Sequence, residues 1–130
     1  MVDETVSLAV PRPIIDSLPE DGDATAKDMQ QAVSGLETRL NREIEGAESE
    51  SEAAAFVVDV LERLEDRFQR YDEFVPELRA WGQSPIYAIA WRNLQADLVG
   101  QIHEHEWLSE HVDRERNARL VEDGIRFGDR

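Results

Sequence analysis

Between Ser84 and Val112, side chains return at alternating four- and three-residue intervals through Tyr87, Trp91, Leu94, Leu98, Gln101, His105, Leu108 and Val112. That interval keeps one stripe of an α-helix facing a partner surface. Ser84 offers a hydroxyl acceptor to the first free backbone N–H groups. Pro85 suits the first helical position, where a missing N–H costs nothing. Ile86, Ile89, Ala90, Val99 and Ile102 widen the stripe on both flanks. An unbroken helix over these 29 residues would be a rod of roughly 43 Å. Such a rod needs other helices packed against it, from its own chain or from a second copy. The spacing therefore predicts an all-α antiparallel helical bundle. Its centre would be one long helix in the C-terminal half, from about Pro85 to at least Ser109.

The remaining segments read as shorter partners of that rod. Val6, Leu8 and Val10 alternate with polar or small residues, as a half-buried extended segment does. Pro11 and Pro13 block a ladder and favour extended backbone, so residues 1–22 are expected to form an extended N-terminal arm. That arm would lie across the helices or pair with the arm of a second subunit. Residues 23–130 form the bundle domain. A first helix is predicted from Asp23 or Thr25, with Met29, Val33, Leu36, Leu40 and Ile44 inward and Gly46 as its stop. Gly35 weakens this helix by up to about 1 kcal/mol relative to alanine, and would allow another backbone to come close.

Ser49 followed by Glu52 matches a capping box. It opens a second helix carrying Ala53, Phe56, Val57, Val60, Leu61, Leu64, Phe68 and Tyr71. Phe74 to Trp81 reads as a separate short helical piece, with Pro76 in its first turn and Gly82 at its end. After Val112 the helical pattern weakens towards Gly124, leaving a short tail anchored by Ile125 and Phe127.

Composition narrows the chemistry. The chain lacks cysteine, which excludes disulfides, thiolate metal sites and thiol nucleophiles. No apolar run approaches the length of a membrane span, and no basic segment precedes an apolar one as in a secretory signal. A cytoplasmic protein is expected, without membrane contact. Acidic residues number 29 against 14 basic ones, a net charge of −15, and Lys27 is the one lysine. The acids are spread along every segment. This acid-rich, lysine-poor composition resembles the small acidic proteins of salt-accumulating haloarchaea. The resemblance spans the chain but rests on no functional motif, and it implies adaptation to molar salt. The same negative field disfavours direct binding of nucleic-acid phosphates.

Two sets of side chains could carry chemistry. His103, Glu106 and Glu110 share a helix face if the helix is continuous, and would supply three metal ligands. His103 and His105 point to opposite sides and could not. Glu62 with Glu65, and Glu110 with Asp113, have the ExxE and ExxD forms of paired carboxylates that bridge Mg²⁺ and phosphate oxygens. In this they resemble all-helical nucleotide pyrophosphohydrolases, which implies a Mg²⁺-dependent phosphohydrolase as the alternative function. Both patterns are also what an acidic solvated face produces by chance. Trp81, Trp91 and Trp107 could line a ligand pocket, although aromatics at helical spacing usually pack.

The leading expectation is a non-enzymatic homo-oligomerising or interaction module without a cofactor: a homodimer, with a further protein partner allowed. Its interface would be Tyr87, Trp91, Leu94, Leu98, Gln101, His105 and Leu108. Gln101 and His105, polar within an apolar stripe, would set register and oligomer state.

Overall fold

A computed structural model describes the backbone of residues 4–128 and the side chains of residues 4–122. It contains five helices: α1 (Arg12–Asp16), α2 (Asp23–Gly46), α3 (Glu50–Ala80), α4 (Ile86–Glu104) and α5 (Glu106–Gly128). Ser49 caps α3 by accepting the Glu52 N–H at 3.1 Å. Glu52 reaches back to the Glu48 N–H at 3.4 Å, which closes the expected box one residue early. At the other end of α3 the chain makes a complete Schellman turn. The Gln83 N–H reaches Leu78 O at 2.9 Å, the Gly82 N–H reaches Arg79 O at 3.1 Å, and Gly82 sits at φ 74°. Pro85 precedes α4 rather than opening it, and Ser84 Oγ accepts the Ile86 N–H at 3.4 Å.

The centre of the bundle is α3, against which α2, α4 and α5 all pack. Its buried stripe of Ala53, Val57, Val60, Leu61 and Leu64 joins one cluster with Met29, Val33, Leu40 and Ile44 of α2. Ala90, Leu94, Leu98 and Ile102 of α4 and Leu108 and Val112 of α5 complete it. Cross-contacts give the directions. Tyr71 stacks on Trp91 while Leu64 shares a cleft with Leu98, so α4 runs antiparallel to α3. His111 meets Glu50 and Arg119 meets Asp59, so α5 runs parallel to it. Among the described residues there is no strand, and no helix is long and apolar enough to cross a membrane.

Several expectations are corrected. The rod from Ser84 to Val112 is two helices, broken where His105 turns extended at φ −74°, ψ 111°. The longest helix is instead α3, with 31 residues. It is longer than expected because Phe74–Trp81 continues it, with Pro76 inside. Val75 beside the proline is buried, and the Tyr71–Trp91 stack ties this part of α3 to α4. Within the expected arm, Arg12–Asp16 is helical, started by Pro11 and Pro13, whose fixed φ suits a first turn. The expected tail after Gly124 is helical to Gly128. The anchoring role of Ile125 and Phe127 lies outside the described side chains. Among the described residues no neighbouring backbone approaches Gly35, since nothing lies within 4 Å of a Cβ built there.

Candidate functional site

The stripe expected to meet a second molecule is largely covered by its own chain. Leu94, Leu98 and Leu108 are buried in the core just described, and Trp91 is half-buried against it. The two polar members, Gln101 and His105, instead read the backbone of the N-terminal arm. Residues 4–11 hold no helix or strand and meet α2 and α4 through side chains, with Val6 and Leu8 buried and Thr5, Ser7 and Ala9 exposed.

Having no strand to pair with, the arm satisfies its backbone groups through side chains. Asn41 Oδ1 accepts the Val6 N–H at 2.7 Å, and Asn41 Nδ2 donates to Val6 O at 3.0 Å. Gln101 treats Ala9 the same way, at 3.0 and 2.8 Å. Glu37 Oε2 accepts the Leu8 N–H at 2.7 Å. The arm then passes through α1 to a turn at Gly22, where an added Cβ would come within 2.9 Å of Leu18 Cβ and Pro19 O. Tyr87 fastens this turn by donating its phenol hydrogen to Asp21 Oδ1 at 3.2 Å. Burial, that hydrogen bond and the Asp21 charge raise the phenol's pKa above its ordinary value. The contact is therefore kept through neutral pH and lost as pH rises past the raised value.

His105 explains both the break and the arm. Its carbonyl accepts the Ser109 N–H at 2.8 Å and its Nδ1 accepts the Leu108 N–H at 3.3 Å, which caps α5. That leaves the proton on Nε2, which donates to Thr5 O at 3.0 Å. One imidazole thus starts a helix and holds the arm. His105→Ala is expected to cost about 1–2 kcal/mol by thermal unfolding, the range of a lost cap. His105→Asn, which can still cap, should recover most of that loss. Equal losses in both variants would contradict the capping role.

The carboxylate sets do not assemble. Glu65 is bound by Arg116 at 2.8 Å, and Arg119 bridges Asp59, Glu62 and Glu115 at 3.2 Å each. The pairs with Asp59, Glu62 and Glu65 join α5 to α3, while Arg119–Glu115 lies within α5. Burial alone would lower the pKa of Arg119, but hydrogen bonds to Glu115 and Asp59 and the charges of Asp59 and Glu62 outweigh it and raise the pKa. Glu110 pairs with Arg114 on its own helix. Among the described residues no three His, Asp or Glu side chains converge as metal ligands. Glu62, Glu65, Glu110 and Asp113 therefore form no single ion site. The break at His105 also destroys the continuous face that His103, Glu106 and Glu110 required.

The tryptophans do not share a pocket either. Trp91 stacks on Tyr71 at 6.5 Å and Trp107 on His111 at 4.1 Å. Trp81 stands 63% exposed at the α3–α4 turn, with its ring edge against Phe74 and Ile86 also exposed beside it. These three flank the α3–α4 turn as an apolar tip, and Leu120 and Val121 on α5 are exposed as well. Asn41, Glu37 and Arg119 were not legible as functional residues. The available signal for Asn41 was a carboxamide directly after the inward Leu40, on the edge of the buried face.

No curated protein and no solved structure matches the chain. What does match, over residues 2–129, is a family described as of unknown function, DUF7971, and the chain belongs to that family.

Proposed function

We propose that the protein is a non-enzymatic helical module of the cytoplasm that pairs with a second copy of itself and works at high salt. The observation that carries this reading is the apolar tip. Phe74, Trp81 and Ile86 are exposed by 40%, 63% and 42% at one end of the bundle, while Leu94, Leu98 and Leu108 of the predicted stripe are buried inside it. An exposed Trp–Phe pair is the kind of anchor around which interfaces are built. Fully burying each such side chain is worth roughly 1.5–3 kcal/mol. The last turns of α3 also place Glu77 and Arg79 near the tip, so a two-fold contact can match opposite charges across its rim. At molar salt the Debye length falls to about 3 Å, and two strongly acidic copies can then approach.

Sedimentation in molar KCl at micromolar protein should give a dimer, and Trp81→Gln should give a monomer with little change in melting temperature. A wild-type chain that sediments as a monomer would count decisively against self-association.

A further inference from the structure

In a protein with twice as many acids as bases, cations are expected to be paired, and five of the arginines are: Arg12, Arg92, Arg114, Arg116 and Arg119. Among the described residues, Arg39, Arg42, Arg63, Arg67, Arg70 and Arg79 make no ion pair. Three of these, Arg39, Arg63 and Arg67, line a single cleft between α2 and α3, with Arg39 over the Phe56 ring at 5.7 Å. Its apolar walls come from Leu36, Val60 and Leu64, and its volume is about 210 Å³, that of roughly seven water molecules. Gly35 also lines the cleft, which is why a Cβ added there meets nothing.

A second observation lies deeper along the same path. Leu36, Leu64 and Arg67 also line an adjoining cavity of about 150 Å³, bounded by Tyr71, Trp91 and Gln95. Gln95 is 4% exposed. Its Nε2 donates to Trp91 O at 3.2 Å, while its Oε1 is buried without a partner. Leaving a buried amide oxygen unsatisfied is costly, and Gln95 is one of the residues that line this adjoining cavity.

We propose that the cleft between α2, α3 and α4 binds an amphipathic anion. A carboxylate or phosphate head sits on Arg39, Arg63 and Arg67, and an apolar body lies over Leu36 and Leu64 towards Trp91. Guanidinium groups suit either head because their paired N–H donors match two oxygens at once. The apolar walls select against simple inorganic anions, which offer nothing to bury.

Titration calorimetry of the full chain in constant high salt tests this with octanoate, octyl phosphate and octyltrimethylammonium. The two anions distinguish the head chemistries, and the cation shares their body. Both anions, or one of them, should bind at least tenfold more tightly than the cation. Gly35→Leu fills the cleft without altering charge and replaces a helix-weakening residue, so it should keep or raise the melting temperature. It should also weaken anion binding at least tenfold. Arg63→Gln with Arg67→Gln, both exposed changes, should do the same if Gly35→Leu folds poorly. Equal binding of cation and anions, wild-type affinity in both variants, or absence of anion binding would each overturn the proposal. So would an acidic peptide without an apolar body that binds as tightly as octanoate.

Discussion

Truncating Leu94 to alanine is expected to lower the melting temperature by roughly 8–20 °C, and by the same amount at every protein concentration. Buried Leu→Ala changes cost about 2–5 kcal/mol through lost transfer energy and the cavity left behind. In a domain of this size each kcal/mol moves the transition by about 4 °C. Leu94 is fully buried and shares its surroundings with Val33, Leu36 and Leu64 from two other helices of the same chain. Its partners are therefore present in a lone molecule. Melting followed by circular dichroism over a hundredfold range of concentration checks this. A loss that grows as the protein is diluted would mean that Leu94 faces a second copy in solution, as its place in the α4 stripe first suggested.

The second large effect is on salt. Lowering KCl from molar to about 10 mM stretches the Debye length from about 3 Å to about 30 Å. Two like charges 10 Å apart then repel by about 0.4 kcal/mol in water. The 29 acids outnumber the bases by 15, so repulsive pairs accumulate across the surface. Low salt also strengthens attractive pairs such as Arg116–Glu65 and Arg92–Asp72. Exposed pairs of this kind are worth only about 0–1 kcal/mol each, so repulsion should prevail. Helicity and the denaturant midpoint are expected to fall together as KCl is removed. Unchanged unfolding curves between the two salts would remove the argument for salt adaptation.

Much of the helical inventory was legible because its signals are local. Ser49 and Glu52 sit three residues apart, and that spacing closes a capping hydrogen bond. Gly82 follows α3 where left-handed backbone is needed. Val6 and Leu8 alternate with exposed neighbours, and that period buries them. The inward faces of α2 and α3 follow from their 3.6-residue period in the same way. The break at His105 was not legible, because Leu98, Gln101, His105, Leu108 and Val112 keep alternating three- and four-residue spacing across it and no glycine or proline stands at the break. Pro76 misled in the opposite sense by marking a boundary that α3 does not have.

By itself the sequence determined that this chain forms helices, which faces of them are apolar, and that its net charge is strongly negative. Periodicity, caps and charge act over a few residues or on the total, and they can be read without coordinates. Only the tertiary structure decided which surfaces meet. It folded α5 back along α3, so that Leu108 and Val112 join the core and Arg116 and Arg119 take Glu65 and Glu62. It also laid the arm over α2 and α4, where Gln101 and His105 find its backbone. These pairings link residues far apart in the chain, and their energy comes from closing one shared core. No short stretch of sequence contains that information.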